Sequence, residues 1–276
     1  MPDVSKVQND SLVLKVSPAV DRAVFDVTKY EAFLDVLCET REYQKNAIRT
    51  TLRYLLGGRY TDLRALVQEN FESNAALKAL YGSVEHLEHR LLYPDRLSGS
   101  LDLATGTGKS YVLFGIAAIM LSEGAVDQVL VLCPSLTIEA GLTEKFRSLA
   151  TRPALCESLP DDATVRSPSI TNASESIVAG TICIENYHAV LQNSHSSIRP
   201  TLAGKGVRTL ILNDEVHHLY SGFTGTGDMH KWAEFVRDVE FGFRYIIGVS
   251  GTCYQDDEYF PGSQGNPAGL PLGDHN

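Results

Sequence analysis

The stretch LDLATGTGKSYV, residues 101–112, joins a short apolar segment to a helix-like run through Thr-Gly-Thr-Gly-Lys-Ser. One glycine is enough for a turn. Two glycines followed by a lysine and a serine suit a loop whose backbone N–H groups, from Thr105 through Gly106, Thr107, Gly108 and Lys109 to Ser110, turn inward on phosphate oxygens. The helix that follows would add the positive end of its dipole. In such a loop Lys109 brings a movable charge to the β- and γ-phosphates, and the Ser110 hydroxyl ligates Mg2+. The strict pattern G-x-x-x-x-G-K-[ST] is broken at Leu103, where its first glycine would stand. The order strand, loop, apolar helix is still the required one, and it outweighs the simpler reading of a glycine turn beside a chance lysine.

C-terminal to the loop, short β-rich runs (QVLVLC, TICIEN, RTLILN, YIIGVS) alternate with helix-like ones (YVLFGIAAIML, TIEAGLTEKFRSL, MHKWAEFVRDVEF). With LDLA as the first strand, this pattern predicts a parallel sheet buried on both faces, an α/β architecture that binds ligands at the carboxyl ends of its strands. On the N-terminal side, TKYEAFLDVLCETREYQKNAIRTTLRYLLGG has helical spacing and stops at Gly-Gly, and the next 34 residues continue in that style. The expected organisation is a mainly helical region over 1–98, a P-loop NTPase lobe over 99–255, and a tail over 256–276 whose prolines and glycines lack periodicity and predict disorder. Residues 155–175 are polar and rich in Pro, Ser and Asp, and read as a surface loop.

A phosphate loop needs a carboxylate to orient its metal and a group to activate water. RTLILNDEVHHLY, residues 208–220, supplies both. Its strand-like run delivers Asp214 and Glu215 to a strand end, where the loop is also expected. Asp214 can hold Mg2+ through its water, and Glu215 can take a proton from the attacking water. His217 and His218 follow; a histidine near the γ-phosphate could sense nucleotide state, against the plainer reading of a surface pair. In GVSGTCY, Ser250 and Thr252 are hydroxyl residues able to hydrogen-bond Asp214, Glu215 or His217.

Composition bounds the rest. The 276 residues are 43% hydrophobic and 21% charged, ordinary for a globular protein. The net charge of −10 gives no general attraction to nucleic acid, so a polyanion must be held by local patches. Five scattered cysteines without C-x-x-C spacing disfavour zinc and disulfide frameworks. The N-terminus has no apolar signal core, and the apolar run Tyr111 to Leu121 is far shorter than the ~20 residues of a membrane span. A cytoplasmic protein with no membrane partner is expected. Arg41, Lys45, Arg49 and Arg53 recur every four residues, as a phosphate-facing stripe or, more simply, a solvated helix face. His86 and His89, three apart among glutamates, read as charged surface rather than a metal pair.

Taken together, these motifs resemble the superfamily-two helicases and translocases. Ala104 to Ser110 matches the first motif, Asp214-Glu215-Val216-His217 a DExH box, and Ser250-Gly251-Thr252 the third motif. The combination of ATGTGKS with NDEVHH looks most like the motor of the type III restriction endonuclease subunit and its DEAD/DEAH-box relatives. LVLCPSLTIEAGLTEKF resembles that group's motif Ia, and REYQKNAI its adenine-recognition element, which implies that Gln44 faces the base. The resemblance implies a RecA-like lobe that uses ATP and Mg2+, with Lys109, Ser110, Asp214 and Glu215 carrying hydrolysis. It also implies that His217, Ser250 and Thr252 couple hydrolysis to strand movement, and that Pro134, Ser135 and Thr137 touch a nucleic-acid backbone, DNA being expected. Motors of this kind have two such lobes, the second supplying an arginine finger. The match ends near Phe260, so the chain resembles half a motor, a truncated product or one lobe awaiting a partner. The restriction nuclease pattern PD…(D/E)-x-K is absent, since no lysine has an acidic residue two positions before it. A non-catalytic nucleotide-binding or interaction module is the alternative from another class. A P-loop kinase or transporter ATPase fits less well, given the long separation of Lys109 from Asp214 and no lid.

Overall fold

Strand Gln128–Cys133 shows how the sheet is built: Val129, Val131 and Cys133 enter one hydrophobic cluster, while Leu130 and Leu132 enter another. A strand whose two sides both meet apolar neighbours belongs in the middle of a three-layer arrangement. The computed structural model of the chain describes residues 13–104, 106–191, 194–216, 228–251 and 272–274, with the backbone alone at 228–230 and 272–274. In chain order these hold β1 (Leu14–Val16), α1 (Glu31–Cys38), α2 (Glu42–Leu56), α3 (Leu63–Ser73), α4 (Ala75–Tyr81), α5 (Val84–Glu88), β2 (Leu97–Asp102), α6 (Lys109–Ser122) and β3 (Gln128–Cys133). There follow α7 (Leu136–Ala150), α8 (Pro153–Glu157), β4 (Ser169–Thr171), β5 (Thr181–Asn186), α9 (Ile198–Leu202), β6 (Thr209–Asp214), α10 (Asp228–Arg237), β7 (Tyr245–Ser250) and β8 (Leu272–Asp274). Six strands form one sheet in the order β2-β7-β6-β3-β5-β4, and every pairing is parallel. The α/β fold with a helical N-terminal part is therefore as expected.

Two layers cover the sheet. On one face lies α6, whose residues from Val112 to Ser122 are all buried. A helix that is apolar all round must be covered on its far side too, and α1 and α2 do this. Leu34, Leu37, Ile48 and Leu52 share a single core with Val112, Ile116, Ile119 and Val129. Gly115 makes the close approach possible: a Cβ there would sit 2.6 Å from Ile48 Cδ1 and 2.9 Å from Leu37 Cδ2. On the opposite face Trp232, Phe235 and Val236 of α10 pack with Ile198 and Leu202 of α9 over Leu130, Ile211 and Ile246.

Three stretches differ from expectation. The strand before the loop starts at Leu97, not Leu101, because Ser98 and Ser100 are buried in it, where a search for apolar runs passes over them. Ser98 is tolerated there because its Oγ donates to the Tyr93 carbonyl at 2.9 Å. Within 155–175, read as a loop, Ser169–Thr171 forms the polar edge strand of the sheet beside β5, and the helix Pro153–Glu157 runs into its first residues. In the tail, Leu272–Asp274 pairs in parallel with Leu14–Val16, while 252–271 and 275–276 lie outside the described residues.

The basic stripe on α2 is less solvated than its spacing suggests: Arg41 is exposed, but Lys45 is buried and Arg49 and Arg53 are half-buried. Lys45 is 8% exposed and pairs with Asp35 at 2.5 Å. Arg49 pairs with Glu31 and with Glu42, each at 2.5 Å, and Arg41 with Glu39 at 3.3 Å. These pairs offset the charge of Arg41, Lys45 and Arg49, two of them across the α1–α2 seam. His86 and His89 are exposed at the end of α5. Among the described residues no helix is long and apolar enough to cross a membrane.

Candidate functional site

The loop between β2 and α6 turns on two left-handed residues, both glycine: Gly106 at φ 84° and Gly108 at φ 82°. L-residues with a Cβ avoid that region, which is why this sequence needs glycine at these two places. Leu103, the departure from the strict pattern, is not at positive φ; its N–H continues the ladder to the Ser250 carbonyl at 2.8 Å. The chain just past β2 still bonds to β7 at that point and needs no left-handed residue, so glycine is not required there. Thr107 closes the loop through its Oγ1, which donates to the Ala104 carbonyl at 2.7 Å. From Gly108 the backbone enters α6, leading the first-turn amides of Lys109 and Ser110 out toward the loop. Thr105, expected to contribute another amide, lies outside the described residues.

The N-terminal region reaches this loop directly. At the start of α2, Tyr43 Oη and Gln44 Nε2 both donate to the Thr107 carbonyl, at 2.8 and 2.6 Å. A Cβ on Gly108 would fall 2.5 Å from Gln44 Nε2, so glycine there also admits this side chain. Gln44 is 1% exposed, yet its Oε1 has no hydrogen-bond partner among the described residues. A buried acceptor without a donor is costly, and an exocyclic amine such as that of adenine would satisfy it. A Cβ on Gly106 would meet nothing within 4 Å, so the loop is open where a phosphate would approach. Both observations fit a purine nucleoside triphosphate.

The carboxylates arrive from the middle of the sheet. Asp214 ends β6, and β7 lies between β6 and the loop strand β2. Registers Asp214↔Val249 and Asp102↔Ser250 bring the three strand ends to one level. Glu215 then turns at φ 51°, a left-handed conformation unusual for glutamate, with its N–H donating to Asp214 Oδ1 at 3.1 Å. The chain returns at once to the sheet, Val216 N–H donating to the Val249 carbonyl at 3.0 Å. Gly248 makes room for that return, since a Cβ there would sit 2.5 Å from Val216 Cγ2. The turn aims Glu215 at the loop, where its Oε1 pairs with Lys109 Nζ. Residues 106 apart in sequence thus meet across one crevice.

Asp214 is 7% exposed. Burial pushes its carboxyl up to about 6; Glu215 adds to the rise, and the Lys109 ammonium pulls against it. The lysine and the loop's N–H groups attract an anion, while Asp214 and Glu215 beside them are the groups here able to hold a cation.

A family model described as "Type III restriction enzyme, res subunit" matches residues 37–255. The chain belongs to that family. Membership makes it a helicase-type motor lobe, and the matched range includes Gln44, the loop and the Asp-Glu pair. No curated protein matched. Among solved structures, "The crystal structure of T4 UvsW" aligns at 14% identity with a TM-score of 0.35, over 58% of this chain and 28% of that one. The "Crystal structure of the UvsW helicase from Bacteriophage T4" aligns at 14% identity and 0.33, over 58% of this chain and 48% of that one. The chain therefore spans less than half the length of either structure.

The remaining sites of the resemblance are placed as follows. Pro134 and Ser135 are half-buried at the end of β3, Ser135 caps α7 by accepting from Ile138 N–H at 3.3 Å, and Thr137 is exposed. Ser250 ends β7 fully buried beside the loop strand. His217, His218 and Thr252 lie outside the described residues. Sequence reasoning passed over Tyr43 at the loop and, away from it, Glu139, Asn186 and Trp232. Tyr43 was legible in principle, as the immediate neighbour of Gln44. Glu139 accepts from both Asn186 N–H and Nδ2 at 2.9 and 2.6 Å, and Trp232 Nε1 donates to Asn213 Oδ1 at 3.2 Å. No spacing signals contacts between elements so far apart in the chain.

Proposed function

We propose that the chain is the ATP-hydrolysing lobe of a DNA helicase or translocase, acting in the cytoplasm in a restriction or phage-defence setting. The Lys109–Glu215 pair carries the reading, because it puts the phosphate loop and the acidic pair on one crevice. In this reading Lys109 and the amides of Gly106 to Ser110 bind the β- and γ-phosphates, and Thr105 adds its own. Gln44 selects the base through its orphaned Oε1. Ser110 and Asp214 would hold Mg2+, which neutralises phosphate charge when bound; a cation that prefers one or two protein ligands plus phosphate oxygens suits so small a set. Phosphates draw Lys109 away from Glu215, and the freed Glu215 accepts the proton of the attacking water. His217, Ser250 and Thr252 pass the nucleotide state on, and Pro134, Ser135 and Thr137 touch a DNA backbone.

A second RecA-like lobe, whether on the same polypeptide or a partner subunit, would supply the arginine finger. Such a finger is worth about 10³–10⁵ in turnover in related phosphoryl transfers. The lobe alone is accordingly expected to bind ATP with Mg2+, hydrolyse it very slowly and unwind nothing. Lys109→Ala should abolish nucleotide binding by calorimetry, and unchanged affinity would refute the loop's role. One observation favours the rival module without turnover: Glu215 is engaged by Lys109 rather than free. Comparing Glu215→Gln with the parent in the presence of DNA and a supplied second lobe separates the two. Equal, negligible hydrolysis by both would leave only binding.

A further inference from the structure

Trp232 is the chain's single tryptophan, and its side chain is fully buried on α10. Its indole N–H donates to the side chain of Asn213, which is fully buried and immediately precedes Asp214. Side chains alternate along a strand, so Asn213 leaves β6 on the face opposite Asp214, among the apolar residues of α9 and α10. A polar pair in such a place costs stability unless bonded, and the bond specifies one orientation of both partners. The Trp232 ring stacks on Tyr187, with centroids 5.6 Å apart and planes within 9°. Tyr187 follows Asn186, the last residue of β5, which Glu139 of α7 grips through two hydrogen bonds to one carboxylate oxygen. Ser135 caps that same α7, and the ends of β3 and β5 are in register, Cys133 opposite Asn186. One continuous line of contacts therefore leads from the residue beside Asp214, through Trp232 and Tyr187, to the ledge Pro134–Thr137.

We infer that Trp232 is a positioning residue that couples occupancy of the nucleotide crevice to the affinity of this ledge for single-stranded DNA. The inference rests on the reading given under Proposed function. β6 is held by a strand on each side, so a change at Asp214 has little freedom to spread along the sheet. The Asn213 side chain is the polar handle through which such a change reaches the opposite layer. There Trp232 and Tyr187, stacked in parallel, must tilt together, and packed layers respond by discrete shifts rather than by continuous deformation.

The test uses the whole chain, a β,γ-imido ATP analogue with Mg2+, and an oligodeoxythymidylate. In the parent the analogue should tighten oligonucleotide binding by about 5–150-fold, the range of ordinary coupling, and the oligonucleotide should tighten analogue binding by the same factor. The lone indole reports directly: its emission should shift when either ligand binds. Trp232→Phe keeps a ring against Tyr187 and loses the N–H. Each ligand alone should bind it within about twofold of the parent, while the mutual tightening falls to about 1. Tyr187→Leu cuts the line from the other end and should do the same, with the double variant losing nothing further. Coupling retained at the parent's strength in either single variant overturns the inference, as does a parent that binds both ligands independently or binds the analogue but not the oligonucleotide. A parent that binds no analogue removes the nucleotide reading itself, so the two failures are distinguishable.

Discussion

Asp214 carries a cost in the folded chain. Its carboxyl is buried at a strand end and pushed up from 3.8 to about 6, chiefly by burial. Below 3.8 it is protonated in both folded and unfolded chains, and no penalty exists. As pH rises from there toward 6 the unfolded chain releases its proton first, so stability falls; above about 6 the whole penalty is present. Asp214→Asn should therefore melt at a higher temperature than the parent near neutral pH without nucleotide, by roughly 1–3 kcal/mol. The gain should shrink to nothing near pH 4. A variant that melts lower at neutral pH would show that the carboxylate is compensated in place. The residues most legible in the sequence, Lys109, Asp214 and Glu215, are those whose chemistry admits few substitutes. Gln44 was visible only through resemblance; what the structure adds is its buried Oε1 without a partner among the described residues. The ion pair between Lys109 and Glu215 was not legible at all, because it depends on the left-handed turn at Glu215.

At the scale of elements, the buried strands were easy to read and the edges were not. QVLVLC, TICIEN and YIIGVS coincide with β3, β5 and β7 because a strand covered on both faces is apolar on both sides along most of its length. Strand β4 has no such constraint: it is short, at the sheet edge and has no fully buried residue, so its sequence looks like a loop. The α2 stripe misleads for another reason. Regular spacing shows that four basic residues share a helix face, but it does not show that α1 turns acidic residues toward it. Helix α6 is where element packing meets function, since it starts at Lys109 and crosses α2 at Gly115. Gly115→Val would drive methyl groups into Ile48 and Leu37, and overpacking of this kind costs about 1–3 kcal/mol. We expect a fall in melting temperature together with weaker binding of the ATP analogue, because α2 also carries Tyr43 and Gln44 to the loop. Weakened stability with unchanged nucleotide affinity would mean that the α2–α6 contact does not position the loop.

The molecule as a whole does not divide where the sequence changes texture. The shift from helical to alternating pattern near residue 98 suggests two units, yet the residues on its two sides share one core. Polar contacts cross the same line: Tyr54 Oη donates to the Ser98 carbonyl at 3.0 Å, and Tyr30 Oη to Ser122 Oγ at 3.2 Å. Periodicity shows which residues of a helix are buried but not against what, and so the partner of α6 could not be read in advance. The expected consequence is a single cooperative unfolding transition for the whole chain, reported alike by far-UV circular dichroism and by the lone tryptophan on the opposite face of the sheet. A chain begun at residue 97 would expose the apolar side of α6 that α1 and α2 now cover. It should be insoluble, or compact without a cooperative melt and prone to bind hydrophobic dyes, and it should lose nucleotide affinity along with Gln44. If that shorter chain instead melts cooperatively and remains soluble, the helical region is an accessory laid on an independent lobe. In that case the contacts of Tyr43 and Gln44 with the loop would tune the site rather than complete it.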